Sequence, residues 1–510
     1  VRVLLWHGWL LEGSGSNVYT AKVAEVMRRA GHDVLVMCQE PHPERHAFID
    51  AWGTIGPRGP SRLQANPAVS PAPGRAVLLR PEIGRLLPVF VLDEYEGRTP
   101  KRFVDLSDRE LAGYLDRNVD ALRAAVEDHR PDLVVAGHAI PGPVIAARAV
   151  GPGRFVSKIH GSDIEYAVRD QQRYRTLATE GLEASAAIVG ASRNVLGRLV
   201  ALVPKVVDRV HVVPPGVDAG AFRPLHRPEA LLEVAARLDR DPDTARGRSD
   251  ELDRDVSMAL SARDPDALDR LALTYDQEAP DPGAAARLRA LAPTTDPVVG
   301  FIGKLIPQKG VELAIQALAG RERVRGLIVG FGRFREWLVA LSLALDAEDP
   351  DALAWLAQAS PMQLETTRPR SGLRRRLHFT GRLDHRYAPF AAAAFDVLVV
   401  PSILDEAFGM VAVEGAAAGA LPLVARHSGL AEIAAALEAH VDRPGLFGFE
   451  TGPGAVDRLG RGIDALLGLP APERAELRSA VSAFASKEWS WERTAELLLR
   501  FGRDRPEASS

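Results

Sequence analysis

Two carboxylates, Glu406 and Glu414, bracket a run of small and apolar residues in the segment EAFGMVAVE. The preceding Val397–Ser402 is β-branched and apolar and reads as a buried strand, with a short acidic loop after it and then a small-residue helix. A helix starting near Phe408 offers free N–H groups and the positive end of its dipole to whatever Glu406 faces. Glu414 then lies one to two turns further along. One carboxylate can bind hydroxyls at the helix mouth while the other binds a second polyol, and the amides between them suit an anionic leaving group or sugar oxygens. Two glutamates at this spacing are also common on solvated helix surfaces. The glycine and alanine run Gly415–Gly419 and the strand Leu421–Ala425 favour the ligand reading. Small residues let backbone approach a ligand, and the loop falls at the carboxyl end of a parallel strand, where open α/β sheets bind ligands.

Other loops carry compatible chemistry. In IGKLIPQKG, residues 302–310, Lys304 and Lys309 stand five apart beside Gly303 and can converge on one diphosphate as point charges, or be two solvated lysines. GSGSN, residues 13–17, joins a first strand to a first helix, so Gly15 and Ser16 sit where a helix N-terminus favours negative charge. The full G-x-G-x-x-G is absent, because position 18 is valine. KIHGSD, residues 158–163, ends a strand and presents His160 and Asp163, and His138 follows another strand. A lone histidine in such a place is often structural.

The segment EAFGMVAVE resembles the E-x7-E signature of retaining GT-B glycosyltransferases, specifically glycosyltransferase family 4 of the glycogen-synthase-like clan. The GSGSN, KIHGSD, IGKLIPQKG and TGRL segments recur in that family's order over nearly the whole chain, insertions apart. The resemblance implies that Glu406, Ala407 and the amides of Phe408, Gly409 and Met410 hold the donor sugar, and that Glu414 takes the ribose. It implies that Lys304 and Lys309, beside Gly303, stabilise the departing nucleoside diphosphate, each worth roughly 3–4 kcal/mol in the transition state. Lys304 stands where the family usually has arginine, keeping the charge without the bidentate fork. Ser14 replaces the first of the family's paired glycines, while Gly15 and Ser16 remain as donor contacts. His160 is implied to lie beside the transferred sugar, touching its 6-position or supporting nascent charge. Gly381 and Arg382 mark the base-facing turn, Arg382 either bracing the nucleotide or serving structure. His138 and Asp163 are acceptor-side candidates, Asp163 with a turn-fixing role.

The implied reaction is a metal-independent hexosyl transfer from a nucleoside diphosphate sugar, with no further cofactor and with the anomeric configuration retained. Front-side departure and double displacement through Glu406 both stay open, as do donor base, sugar and acceptor. The alternatives are a catalytically idle relative that binds nucleotide or glycan, and a GT-B epimerase or phosphorylase-like enzyme.

The elements that must position these residues alternate strand and helix in both halves, as βαβ units of parallel sheets do. The expectation is an α/β, GT-B architecture of two doubly wound, Rossmann-like domains facing across a cleft. Residues 1–214, completed by a crossover helix at 488–510, form the acceptor-side domain. Residues 215–487 form the nucleotide-sugar domain, with charged helical insertions at 228–293 and 344–374. These share a helix start in which Asp264 and Asp349 serve as N-caps before proline, and they are expected to be two similar starts that pack together as a small subdomain. Residues 53–88, rich in Gly, Pro and Arg, are expected to be an irregular rim insertion. Its Arg58, Arg62, Arg75, Arg80 and Arg85 are either solvated or meet a phosphorylated acceptor or an anionic membrane face.

Composition narrows the classes. With 510 residues, 46% hydrophobic, there is core for two domains, and a net charge of −4 gives no global basic field for nucleic acid. The single cysteine, Cys38, excludes an internal disulfide and is expected to be a buried strand thiol. The Asp241–Asp243 match to Asp-x-Asp falls in an insertion, away from a strand end. No run of 18 apolar residues occurs, and a soluble, cytoplasmic protein is the expectation, with peripheral membrane contact left open.

Overall fold

The computed structural model describes all residues except 93–94, 242–243, 245–250, 274–279, 366–371, 385 and 504–510. Parts of both charged insertions, the end of the expected crossover helix and two of the three Asp241–Asp243 positions thus lie outside the described residues. The chain divides into two compact units, Val1–Gly216 with Ser490–Ser510, and Val217–Trp489.

The first unit is built on a largely parallel sheet. Its strands are β1 (Arg2–Trp6), β2 (Asp33–Met37), β3 (Ala51–Gly56), β4 (Gly59–Pro60), β5 (Gln64–Ala65) and β6 (Arg75–Pro81). A separate parallel pair, β7 (Leu86–Val89) and β8 (Thr99–Arg102), precedes β9 (Leu133–Gly137), β10 (Val156–Ile159), β11 (Ala187–Gly190) and β12 (Val210–Val212). The order is β12-β11-β10-β9-β1-β2-β6-β3-β4, with β5 on β3. The central strands are almost wholly buried and largely apolar, as parallel strands covered on both faces are, with Ser157 and Lys158 of β10 as buried polar exceptions. Cys38, immediately after β2, is completely buried, and burial pushes its thiol up, out of the range of a nucleophile.

Residues 53–88 are not an irregular rim. Most of β3 and all of β6 fall there, and β6 lies inside the sheet between β2 and β3, parallel to both. Ala76, Leu78 and Leu79 are buried, yet the arginines and prolines that bound the strand, Arg75, Arg80 and Pro81, mask it in a composition-based reading. The last helix, Trp491–Arg503, is capped by Ser490, whose hydroxyl accepts from Arg493 N at 3.1 Å. It packs on helix Gly15–Arg29, with Trp491 edge-on to Tyr19 at 5.8 Å. Gly216 is obligatory there, because a Cβ would lie 2.3 Å from Trp491 N.

The second unit has a six-stranded sheet, wholly parallel: β13 (Val298–Lys304), β14 (Arg325–Phe331), β15 (Leu377–Phe379), β16 (Val397–Val400), β17 (Leu421–Ala425) and β18 (Gly448–Phe449). Its order is β15-β14-β13-β16-β17-β18, so the connection reverses between β13 and β16. The two insertions meet within this unit. Asp264 and Asp349 cap their helices through Ala267 N (3.0 Å) and Ala352 N (2.9 Å), as the shared sequence phrase implies. Arg263 bridges to Asp349 at 3.1 Å, Trp337 Nε1 donates to Asp269 at 3.0 Å, and Trp337 stacks on Trp355. No helix among the described residues is long and apolar enough to cross a membrane.

Candidate functional site

In the second unit, the loops after β13 and β16 leave neighbouring strands at the point where strand order reverses, the crevice in which open parallel sheets place ligands. Lys304 ends β13 and is exposed. Lys309 closes a 3₁₀ turn, Pro307–Lys309, after which Gly310 turns the chain into helix Val311–Ala319. Gly310 has φ +62°, and a Cβ there would lie 2.1 Å from Pro401 O, so only glycine lets the lysine loop lie this close to the β16 loop.

Glu406 meets Lys309 at that approach. The ammonium donates to Glu406 Oε1, which also accepts from Ser402 Oγ at 2.7 Å. The Glu406 amide in turn donates to Ser428 Oγ at 2.9 Å, and Gly429 N donates to Glu406 O. Burial pushes the Glu406 carboxyl up. Lys309, Ser402 and the His427 charge outweigh it and hold the group below the usual glutamate range. The result is an ionised carboxylate fixed by Lys309 and Ser402.

The helix that follows begins two residues later than its sequence indicates. Gly409 sits at φ +114°, outside helical conformations, so the helix runs Met410–Ala417 and its first amides belong to Met410 and Val411. Phe408 is buried, and Gly409 lies against Leu430, which a Cβ would meet at 2.4 Å. Glu414 is half-buried one turn into this helix, while Ala407 lies in the loop beside Glu406. At the far side of β13, the carbonyl of Gly381 accepts from Gly330 N at 2.9 Å, and the Arg382 guanidinium lies 5.3 Å from the centre of the Phe331 ring. Gly303 lies in register with Gly330, whose added Cβ would meet Gly303 O at 2.0 Å.

The first unit gathers a second set at its own reversal, between β1 and β9. His7 follows β1, His138 follows β9 and His160 follows β10, so three histidines come together at one carboxyl edge. His138 lies 4.5 Å from His160 and 5.8 Å from His7, ring centre to ring centre, with Trp9 edge-on to His138 at 4.5 Å. His7 Nε2 is held by Asn17 Oδ1 at 2.8 Å, tying the histidines to the helix that Gly15 and Ser16 open. Ser14 caps that helix through Asn17 N, which gives this non-glycine position a structural use.

Asp163 is buried and supports both histidine turns. Its carboxylate accepts from Gly161 N (2.8 Å), Ile164 N (3.1 Å) and Ala139 N. Burial drives the three rings neutral. His7 and His138 fall to about 3, and His160 falls well below its ordinary value, with neighbouring charges adding to the effect. Burial likewise lowers the Lys158 amine to about 7, with Asp163 opposing, and raises the Asp163 carboxyl. Both ring nitrogens of His138 and Nε2 of His160 have no hydrogen-bond partner among the described residues. Buried polar atoms of this kind are ordinarily satisfied, so these nitrogens retain hydrogen-bonding capacity that the described residues do not use. Lys158, His160, Tyr19 and Trp6 also line a small cavity.

The structure therefore joins Glu406 with Lys309 in one unit, and His138, His160 and Asp163 in the other. The sequence reading missed His7, Lys158, Ser402 and His427. His7 carried a readable signal, because it stands at the carboxyl end of the first parallel strand. Ser402 and His427 carried none, since only the fold brings them to Glu406.

Two units of parallel sheet, each with polar loops at its strand-order reversal, define a GT-B glycosyltransferase fold. The solved structures of Anabaena Alr3699/HepE in complex with UDP (TM-score 0.57, 16% identity) and of sucrose-phosphate synthase from Thermosynechococcus elongatus (TM-score 0.56, 16% identity) share it. Each comparison covers 98% of this chain, with 99% and 98% of the respective relative. A sequence profile described as glycosyl transferases group 1 matches residues 286–484, and one described as glycosyltransferase family 4 matches residues 88–220. The chain belongs to the GT-B glycosyltransferases of the family 4 type. It is 29% identical over 244 residues to D-inositol 3-phosphate glycosyltransferases of Mycobacterium tuberculosis (strain ATCC 25618 / H37Rv) and Mycobacterium bovis (strain ATCC BAA-935 / AF2122/97). That match takes in 48% of this chain and 45% of theirs, so it spans about half the length of these curated relatives.

Proposed function

We propose that the chain transfers a sugar from a nucleoside diphosphate sugar to an acceptor, with retention of anomeric configuration and without a metal. The observation that carries this reading is Glu406, ionised and held by Lys309 and Ser402 beside the N-terminus of helix Met410–Ala417. An ionised carboxylate accepts hydrogen bonds from sugar hydroxyls, and the first helical amides offer donors and positive potential to an anionic oxygen. Lys309 and Lys304 supply positive charge where the diphosphate departs, and Glu414 takes ribose hydroxyls one turn along the helix. Arg382 braces the base on the outer side of β13. In the first unit, His138 and His160 are neutral and present unpartnered ring nitrogens to hydroxyls of sugar and acceptor. Their role is hydrogen bonding rather than support of charge as imidazolium. The nucleotide-sugar donor class also agrees with the complexes of Anabaena HepE with UDP and with UDP-glucose.

The test is turnover of nucleoside diphosphate sugars with and without chelator, read by nucleotide release and by the proton coupling of the product's anomeric centre. The reading expects product of the donor's anomeric configuration, unaffected by chelator and lost in Glu406→Gln. Inverted product, or activity abolished by chelation, contradicts it.

A further inference from the structure

Arginines of the first unit commonly sit against carboxylates: Arg28 on Asp50, Arg102 on Asp105 and Arg148 on Glu180 are examples. Half-buried Arg80, Arg98, Arg175 and Arg209 have no such partner among the described residues, and of these Arg80 and Arg98 meet around Gln39. Arg80, at the carboxyl end of β6, has a buried Nε without a partner, and no ion pair joins it to a described residue. Among the described residues, Arg98 donates to neutral oxygens, Gly84 O at 2.5 Å and Gln39 Oε1. Gln39, which accepts from Arg98, donates to Pro81 O at 3.0 Å and so brings Arg98 beside Arg80; burial lowers the Arg98 guanidinium, and the Arg80 charge adds to the effect. Arg117 adds a third positive charge at the rim, donating to Ile83 O at 2.8 Å. The described carboxylates nearby, Glu40 and Glu82, are engaged elsewhere. Glu40 accepts the Leu11 and His42 amides, and Glu82 accepts the Thr54 hydroxyl.

Half-buried like charges with no counter-charge among the described residues are costly, and a bound anion removes the cost. The position is informative. Arg80 ends a strand two places from β1 along the same carboxyl edge, roughly 10 Å at the usual strand spacing. Gln39, which holds Arg98, donates its backbone N–H to Trp9 O, and Trp9 packs on His138. One continuous path thus runs from the arginines to the histidines.

We infer that Arg80 and Arg98 form a subsite for a phosphomonoester on the acceptor, with Arg117 at its rim. This rests on the first unit being the acceptor side of a transferase, and it names the acceptor as a phosphorylated small molecule.

The test is calorimetric titration of the whole chain with inorganic phosphate, phenyl phosphate and phenol, each with and without saturating UDP or whichever nucleotide binds. Phosphate and phenyl phosphate are expected to bind with the nucleotide present, and phenol is not. Arg80→Gln and Arg98→Gln each weaken binding about tenfold or more, while Arg98→Lys, which keeps the charge, loses less. Melting temperature and nucleotide affinity report that each variant is folded. Lack of phosphate binding, or binding unchanged in both glutamine variants, overturns the subsite, as does capture only by phosphatidylglycerol vesicles. Absence of nucleotide binding with phosphate binding intact instead sinks the transferase reading and leaves the anion site standing.

Discussion

Lys309 donates to Glu406 Oε1 across 97 residues of sequence, joining the loops that leave the adjacent strands β13 and β16. The pair fixes the charge of the carboxylate and the position of both loops. Replacing Lys309 with methionine removes the largest of the influences that oppose burial, leaving only Ser402 and His427, so the Glu406 carboxyl rises. Turnover at neutral pH should fall about 10²–10³-fold, and the acid limb of the kcat/KM profile should move to higher pH. An unchanged acid limb contradicts the role given to Lys309.

Gly310→Ala tests the geometry that brings the pair together. The new Cβ would stand 2.1 Å from Pro401 O, on a residue at φ +62°. Left-handed conformation alone costs about 1–2 kcal/mol for alanine, and the clash adds to it. Urea unfolding should show a loss of at least about 2 kcal/mol, and the KM for the donor should rise. Neither effect would appear if the two loops were free to move apart.

The buried histidines make the first unit acid-sensitive. Their folded values lie below the unfolded value of 6.5, with His7 and His138 at about 3, so below 6.5 the unfolded chain binds more protons. Stability is therefore fully present above pH 6.5 and declines as pH falls towards 3, by up to about 1.4 kcal/mol per pH unit for each ring. Thermal melts from pH 7.5 to 5 should show this slope, reduced in His138→Asn. A melting temperature flat across that range contradicts the buried, neutral rings.

Asp163→Asn removes an acceptor oxygen from a carboxylate that receives three backbone amides in two different turns. A loss of about 1–3 kcal/mol is expected on denaturant unfolding. Because those turns carry His138 and His160, acceptor KM should rise while nucleotide affinity, located in the other unit, stays unchanged. Weakened nucleotide binding would argue that Asp163 acts more widely.

Much of this architecture was legible because strands that end in polar loops announce parallel sheets, and the Glu406–Glu414 spacing names one such loop. Strand β6 was hidden, since its four central residues Ala76–Leu79 are flanked by arginine and proline. The helix start was misplaced to Phe408 because the φ +114° of Gly409 is a property of the loop's packing against Leu430 and is absent from any periodicity. The histidine cluster drew only two of its members. Three strands far apart in sequence converge there, and one short apolar strand before His7 gave no sign of its neighbours. By contrast, the paired aspartate caps Asp264 and Asp349 were local signals, and local signals carry over directly into structure.

The central claim is a nucleotide-sugar site at the β13–β16 reversal, and thermal shift with UDP, GDP, ADP and their common sugar conjugates tests it most directly. At a hundredfold excess over its dissociation constant, a bound nucleotide adds about 2.7 kcal/mol of stability. The account predicts that one nucleotide stabilises the wild-type chain selectively, and that Glu414→Ala, which removes the ribose contact, abolishes the shift. No shift with any nucleotide, or a shift that survives in Glu414→Ala, would contradict it.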